Sequence, residues 1–404
     1  MSNKNLRPIL CMLIILLLIL LTAVTGCSSS ADPEKSSSVP PDTEAATEAA
    51  IETGMIVPTD SSLYYYDGLL YYLKPRNGAA PTRIYYIDPE TGESGILCGK
   101  PDCTHDSYDC NACINSYGRG ITIYQDKIYW YTGSLGGRKL MCEDIDGTNR
   151  REVMALDKEH EWFVNDKSFI GIYNDVLYRC GDGNTVTDGE PSYNMLLYCQ
   201  PLQKGSEPKD LYSAQNVYSV AARMYENQLY FAVVGIDYDL NICVCDLDSG
   251  EVKELFYKEK ADNTPFDIAI SDNKLILHGF GPCISIYSLE DGSYTVIGGE
   301  EHFYYAATGS MIYEPISQDE YRLYTINEDF VFEGKENPEG FTEDTYYSYY
   351  LGSLEETMLF LWEASTDSET MPGQMVNHYY IAALNTETLE WKILWDGISD
   401  YEGM

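Results

Sequence analysis

Four cysteines and one histidine lie within one short segment, and their types and spacing allow two kinds of chemistry. The residues are Cys98, Cys103, His105, Cys110 and Cys113, in the pattern C-x4-C-x-H-x4-C-x2-C. Thiolates and imidazoles are ligands that Zn²⁺ favours, and four of them complete its tetrahedral coordination. The same cysteines could instead form disulfides that hold a loop with little core of its own. Disulfides, a metal site and free thiols all fit the spacing.

The other cysteines of the folded region have a simpler interpretation. Cys142, Cys180, Cys199, Cys243, Cys245 and Cys283 fall mostly within predicted strands. A free cysteine behaves as a small hydrophobic residue, so we predict that these six belong to the core.

Signatures of several enzyme classes are missing from the sequence. No phosphate-binding loop occurs, and His160-Glu161 lacks the second histidine of a zinc protease motif. Asp144, Asp146 and Asn149 resemble part of a calcium loop, but its twelfth position is Ala155 instead of a glutamate. We interpret this segment as a turn between strands. The sequence therefore predicts no catalytic residue and no cofactor, apart from zinc as an option at the cysteine segment.

Composition restricts the partners of the protein. The 404 residues include 64 acidic and 26 basic side chains, giving a formal net charge of −38. Binding to nucleic acid or polybasic docking on anionic lipid headgroups requires clustered lysine and arginine, so the composition argues against both. Hydrophobic residues make up 44% of the chain, which is enough to bury a substantial core. The 36 tyrosines favour β-strands.

The first 26 residues have the features of an export signal. Lys4 and Arg7 precede the apolar run 9–21, which is shorter than the roughly 20 residues of a membrane span but suits a signal peptide. The run leads into Val24-Thr25-Gly26-Cys27, which resembles the lipobox of bacterial lipoproteins. The resemblance implies cleavage before Cys27, a lipid on that cysteine, and a position on the extracytoplasmic face of the cell membrane. An uncleaved anchor helix is the alternative.

Residues 27–60 are expected to form a flexible, disordered linker between the lipid and a folded domain. They contain two serine runs and Val39-Pro40-Pro41, and no aromatic residue occurs before Tyr64. Such compositions favour extended, mobile chain over a packed core. We therefore divide the chain into a signal peptide at 1–26, a linker at 27–60 and a folded domain at 61–397.

The folded region repeats one plan. Short aromatic and β-branched runs alternate with turn residues, as in a series of β-hairpins. The first hairpin turn of each unit falls near positions 67, 126, 175, 226, 272, 309 and 354. Units of about 40–50 residues with four strands are typical of the blades of a β-propeller, in which each sheet buries its faces against its neighbours.

We therefore predict an all-β fold, a β-propeller of seven four-stranded blades, with a cysteine-rich insert at 98–117. Six or eight blades fit the less regular units, and a pair of β-sandwiches is the alternative architecture. Met55-Ile56-Val57 is the candidate for a strand that closes the ring.

Two segments carry a family resemblance. Residues 128–132, Ile-Tyr-Trp-Tyr-Thr, followed by the turn at 144–149, resemble a blade of the YWTD propellers of lipoprotein receptors. They are more similar to the bacterial relatives of those propellers, the DUF5050-type domains. Leu97-Cys98 and Cys103-Thr104-His105 match a segment that follows the first unit in uncharacterised propeller lipoproteins of Gram-positive anaerobes. The resemblance implies a fold and a location, and it implies no reaction.

A propeller of this kind is expected to bind a protein or glycan partner where its loops converge. Tyrosines such as Tyr346-Tyr347 and Tyr349-Tyr350 could stack on sugars or anchor a peptide, or they could pack between blades. The alternative function is a polysaccharide hydrolase or lyase whose carboxylates converge from different blades. A third interpretation is a scaffold with no small ligand.

Overall fold

The computed structural model describes most of residues 55–397. The gaps are 57–61, 75–81, 106, 108, 115, 133–136, 164–168, 188–189, 272, 281–282, 299–305, 309–310, 318–319, 326–329, 344–345, 355–356 and 368–374. All described residues belong to one compact unit, Ala50–Met404. The signal peptide, Cys27 and the linker up to residue 54 lie outside the described residues. None of the described segments forms a helix long and apolar enough to cross a membrane.

The described chain is built from seven antiparallel sheets. Blade one contains β1 (Met55–Ile56), β2 (Ser62–Tyr66), β3 (Leu69–Lys74), β4 (Thr82–Ile87), β5 (Ser94–Ile96) and β6 (Cys113–Ile114). Blades two and three contain β7 (Ser116–Tyr124), β8 (Lys127–Thr132), β9 (Lys139–Asp144) and β10 (Arg151–Ala155), then β11 (Phe169–Tyr173), β12 (Val176–Thr187), β13 (Glu190–Pro201) and β14 (Lys209–Gln215).

Blades four and five follow the same plan. They contain β15 (Val217–Tyr225), β16 (Gln228–Gly235), β17 (Leu240–Asp246) and β18 (Val252–Lys258), then β19 (Thr264–Ser271), β20 (Lys274–Phe280), β21 (Cys283–Ser288) and β22 (Tyr294–Gly298). Blades six and seven contain β23 (Ala306–Thr308), β24 (Met311–Pro315), β25 (Glu320–Thr325) and β26 (Phe330–Lys335), then β27 (Tyr346–Leu354), β28 (Thr357–Asp367), β29 (Met375–Asn385) and β30 (Trp391–Gly397).

The seven sheets form a ring, and the predicted seven-bladed propeller is confirmed. Within blades two to seven the strands pair in chain order, from the inner strand to the outer one, and in blade one β6 pairs with β4 instead of β5. The apolar faces of neighbouring sheets pack on each other. Between blades four and five, for example, Tyr230 and Val234 lie in one buried cluster with Ile268 and Leu277. The cysteines predicted to be core residues are buried, except for the half-buried Cys199.

Tight turns set the register of the first hairpins. Asp67 and Gly68 have φ values of 48° and 79°, and Asn174 and Asp175 have values of 47° and 58°. Two successive residues with positive φ are the signature of the two-residue turns that match the twist of paired strands. Asparagine, aspartate and glycine tolerate this conformation, which is why these turns could be recognised in the sequence.

The ring closes by side-chain packing between blades one and seven. Trp395 on β30 lies 5.4 Å from Tyr72 and 5.5 Å from Tyr85, measured between ring centroids. Lys392 Nζ donates to the backbone oxygens of Pro89 and Glu90 at 3.2 and 3.1 Å. Met55 and Ile56, which the sequence suggested as part of a ring-closing strand, lie in blade one instead. There β1 pairs antiparallel with β2 at the inner edge of the sheet.

The cysteine insert is a loop that leaves the outer strand of blade one and returns to it. The two pieces of that strand, β5 and β6, both pair with β4. Leu97 N donates to Ile84 O at 3.0 Å, and Ile84 N donates to Ala112 O at 3.0 Å. The two ends of the loop therefore meet at a single residue of β4, and residues 97–112 extend from the edge of the sheet.

Candidate functional site

The insert brings four of the five predicted ligand residues together. Cys98, Cys103, His105 and Cys110 each place one sulfur or ring nitrogen within 4.8 Å of the others. His105 Nδ1 lies 3.2 Å from Cys110 Sγ. All the described cysteines carry free thiols in this structure. The cluster is therefore a Cys₃His donor set that could hold a metal.

Cys113, the fifth predicted residue, lies beside this set and outside it. It belongs to β6, is fully buried, and donates its thiol to His105 O at 3.5 Å. Its register opposite Arg83 on β4 fixes this position. The Cys113 side chain also hydrogen bonds to Cys110, so the two cysteines of the C-x2-C spacing are neighbours, although only Cys110 belongs to the donor set.

Backbone N–H groups point at two of the sulfurs. The amides of Lys100 and Asn111 hydrogen bond to Cys98, and the amide of Ala112 hydrogen bonds to Cys110. Burial raises the pKa of both thiols, but at Cys98 the backbone N–H groups outweigh burial and lower the pKa to about 7. At Cys110 burial prevails, and the pKa is raised. The loop thus supplies backbone hydrogen-bond donors to both sulfur atoms.

Arginine side chains attach the insert to the sheets beneath it. Arg83 Nε donates to His105 O at 2.7 Å. Arg150, from blade two, donates to Cys113 O at 2.8 Å and also to Asn111 O. The insert therefore contacts both of the first two blades through its own backbone carbonyls.

A buried carboxylate orients Arg150. Glu143 on β9 has no exposed surface, and its Oε2 accepts from Arg150 Nε at 2.8 Å. Burial raises the pKa of Glu143 to about 7, although the guanidinium of Arg150 opposes this shift. Glu143 Oε1 has no hydrogen-bond partner among the described residues. Sequence reasoning missed both residues, because nothing in their spacing marks them.

The turn at 144–149 packs against the insert. Gly147 has a φ of +77°, and a Cβ there would lie 3.0 Å from Leu97 O. The acidic side chains of the turn are already engaged: Asn149 Nδ2 donates to Asp144 at 2.6 Å, and Thr148 Oγ1 donates to Asp146 at 2.7 Å. This segment is thus a strand-connecting turn, as the sequence indicated.

Exposed aromatic side chains concentrate on one face of the ring. Strands alternate in direction, so the connections between second and third strands share a face with the connections between successive blades. We call this the loop face. Six of the seven large aromatic side chains that are exposed among the described residues lie there, between 48% and 62% exposed: Trp162, Tyr193, Tyr218, Tyr238, Tyr257 and Tyr347. The seventh, Tyr225, lies on the opposite face at 37%.

Blade four carries the densest part of this face. The rings of Tyr218 and Tyr238 lie 5.6 Å apart, and Ile236 beside them is half exposed. Ile236 N donates to Asn216 O at 2.8 Å, which holds the loop against the start of β15. The hydroxyl of Tyr257 hydrogen bonds to the carboxylate of Asp239. We call Tyr218, Ile236, Tyr238 and Tyr257 the blade-four patch.

Of the tyrosines that the sequence analysis named in β27, one lies in the core and its neighbour lies on the surface. Tyr346 is buried and stacks on Trp362 with ring centroids 4.3 Å apart. Tyr347, its neighbour, points outward on the loop face. The side chains of Tyr349 and Tyr350 lie outside the described residues. Alternation along the strand separates the first pair, because successive side chains point to opposite faces of a sheet.

His160 bridges two aspartates and holds the turn that contains Trp162. His160 Nδ1 lies 2.7 Å from Asp157 Oδ1, and His160 Nε2 lies 2.9 Å from Asp210 Oδ1. Burial lowers the pKa of His160, but the two aspartates outweigh this and raise it above its usual value. These two contacts of His160 join the connection after blade two to the outer strand of blade three.

One acidic residue of an inner strand, Asp267, has a buried histidine beside it. Asp267 of β19 is buried, with Oδ2 3.3 Å from His278 Nε2. Burial raises the pKa of Asp267, but His278 and Arg223 outweigh it and hold the pKa below its usual range. This carboxylate is therefore engaged by neighbouring side chains inside the ring.

Comparisons with known proteins support the fold alone. No protein-family model matches the chain, and no curated protein matches it. A puromycin-hydrolyzing peptidase of Mycobacterium tuberculosis is similar, with a TM-score of 0.53 and 10% identity over 87% of this chain and 56% of the peptidase. Oligopeptidase B of Leishmania major gives a TM-score of 0.49 and 11% identity over 85% of this chain and 50% of that one. The chain thus spans about half the length of these enzymes.

Proposed function

We propose that this protein is a lipoprotein anchored outside the cell, whose propeller binds a glycan on its loop face without catalysing a reaction. The observation that carries the proposal is the concentration of exposed aromatic side chains on that face. Exposed aromatic rings are otherwise sparse in the described part of the molecule, with Tyr225 alone on the opposite face.

The blade-four patch has the chemistry of a sugar-binding platform. Tyr218 and Tyr238 offer two adjacent ring faces, and an aromatic ring combines a large apolar surface with a polar end. The carboxylates of Asp237 and Asp239, in the same loop, are acceptors for hydroxyl groups. Apolar stacking combined with a few polar contacts is the usual composition of a small-ligand site.

Net charge restricts the glycan. A chain with a formal charge of −38 repels polymers rich in phosphate or carboxylate groups. We therefore propose a neutral or amine-bearing polysaccharide as the ligand. A protein partner is the other outcome that an aromatic face allows, and binding assays distinguish the two.

The location rests on the sequence. The resemblance of residues 24–27 to a lipobox supports a lipid on Cys27, with residues 27–60 as the tether. The match of the insert segment to propeller lipoproteins related to the DUF5050-type domains supports the same location. Lipid anchoring would keep the propeller next to the cell wall, where glycans are abundant.

The test measures binding of the purified protein to a panel of insoluble and soluble polysaccharides. We expect Tyr218→Ala and Tyr238→Ala to weaken binding at least about tenfold, which corresponds to about 1.4 kcal/mol. Tyr225→Ala is the matched control, since it removes an exposed tyrosine from the opposite face. Unchanged affinity in both patch variants would overturn the proposed site, and release of sugar products would overturn the absence of catalysis.

A further inference from the structure

We propose that Cys98, Cys103, His105 and Cys110 bind one Zn²⁺ ion in a closed, structural Cys₃His site. The site lies in the insert at the edge of blade one. It is independent of the proposed glycan-binding face, which lies on other blades. Four protein ligands fill the tetrahedral coordination of zinc, so the ion would hold the loop in place and would have no open position for a substrate.

The donor atoms already lie at nearly the required distances. In a tetrahedral site with Zn–S near 2.3 Å, ligand atoms are about 3.3–3.8 Å apart. The four donor atoms of the insert lie within 4.8 Å of one another, and His105 Nδ1 is 3.2 Å from Cys110 Sγ. A small contraction of the loop therefore completes the coordination sphere without a change in the sheets.

The arrangement around the imidazole favours a metal over disulfides. The sulfurs of Cys98, Cys103 and Cys110 and a ring nitrogen of His105 lie around one point, whereas disulfides would use only the sulfurs. A Cys₃His site uses all three sulfurs together with the imidazole that contacts them. Cys113, which is hydrogen bonded to Cys110, is the partner that Cys110 would take in a disulfide, and disulfide mapping tests that pairing.

The surroundings favour thiolate ligands. The amides of Lys100 and Ala112, each two residues after a cysteine of the set, hydrogen bond to the sulfurs of Cys98 and Cys110. Hydrogen bonds to sulfur from outside the ligand set orient the ligands and support their negative charge.

Charge in the insert also fits a zinc site. Zinc with three thiolates and a neutral imidazole carries one net negative charge. Arg83, Arg150 and Lys100 all donate to backbone carbonyls of the insert, in a chain that has only 26 basic residues in total. These three cations therefore lie where an anionic metal centre needs them.

The experiment measures metal content of the full-length protein, expressed with zinc and purified without chelators. We expect one zinc per chain in the wild type. Cys103→Ser should lower bound zinc at least about tenfold, while Cys113→Ser, the matched control from the same segment, should retain it. Loss of zinc in Cys113→Ser with retention in Cys103→Ser would overturn this ligand set.

Two further measurements test the zinc site even if a serine variant folds poorly. In the wild type, Co²⁺ should replace Zn²⁺ and give the absorption of a tetrahedral site with thiolate charge transfer. His105→Cys, which still supplies a ligand, should retain the metal and strengthen the charge-transfer band. Zinc-free wild-type protein after loading, or mapped disulfides that join Cys98, Cys103 or Cys110, would overturn the proposal.

Discussion

The indole ring of Trp395 lies 5.4 Å from the ring of Tyr72, and this contact joins the last strand of the propeller to the first blade. Both residues belong to a buried cluster that contains Leu70 and Ile87 from blade one and Leu361 from blade seven. No strand of either blade is exchanged with the other in the described chain. The seam of the ring is therefore held by apolar packing, with Lys392 adding contacts at its edge.

Trp395→Ala should destabilise the protein by about 3–5 kcal/mol, because it leaves a large cavity in this seam. The free energy of unfolding from chemical denaturation gives the measurement. Trp162→Ala is the control: this indole is about half exposed, so its removal should change stability by less than about 0.5 kcal/mol. Equal effects in the two variants would contradict the role given to Trp395.

Gly147→Ala should destabilise the contact between the insert and blade two. A methyl group there would meet Leu97 O at 3.0 Å, and the residue would also have to keep a φ of +77°. Gly92 has a φ of +73° with open space around it, so Gly92→Ala carries the backbone strain alone. We expect Gly147→Ala to lose at least about 1 kcal/mol more than Gly92→Ala in denaturation experiments. Equal losses of stability in the two variants would show that the close approach of residue 147 to Leu97 O does not contribute to stability.

Glu336 should make stability depend on pH. It is buried, it accepts from the Tyr313 hydroxyl, and its Oε2 has no partner among the described residues. Burial raises its pKa to about 8, from 4.5 in an unperturbed side chain. Between these values the native state keeps a proton that the unfolded state has released. The free energy of unfolding should therefore fall as pH rises from about 4.5 to 8, by up to about 1.4 kcal/mol per pH unit.

Glu336→Gln stays neutral at every pH and should remove this slope. Denaturation curves between pH 5 and 8 should thus show the variant gaining stability relative to the wild type as pH rises. Glu259→Gln, which changes an exposed acid, should leave the slope unchanged. Parallel pH profiles for the wild type and Glu336→Gln would contradict the buried, protonated state.

Cys27→Ser should release the protein into the medium, because the hydroxyl cannot accept the lipid that we propose for this position. Fractionation of cells followed by immunoblotting measures the distribution. Cys11→Ser, which changes a cysteine inside the apolar run, should leave the protein in the membrane fraction. Membrane retention of Cys27→Ser would contradict the lipobox.

Local signals made the blades predictable from sequence. Turns such as Asp67-Gly68 and Asn174-Asp175 need residues that tolerate positive φ, and aromatic runs mark the strands between them. The seam was not predictable, because Tyr72 and Trp395 are far apart in sequence and neither residue type identifies the other.

Spacing identified the cysteine cluster but did not assign its members. The exclusion of Cys113 depends on its register opposite Arg83, which appears only once β4 and β6 are paired. Similarly, the blade-four patch could not be predicted from the sequence, because its members come together only once the directions of the strands are known. Ile236 and Tyr238 stand out in an acidic loop of the sequence, but their shared face with Tyr218 follows from the topology.

The packed seam also has a consequence for the order of assembly. Each sheet pairs strands that follow one another along the chain, and such local contacts form quickly. The contact between Tyr72 and Trp395 requires closure of a very long loop and should form last. Before that step the molecule would be an open arc of finished blades with an apolar surface at each end. At high concentration, two such arcs could close on each other, so slow refolding at low protein concentration should favour the single ring.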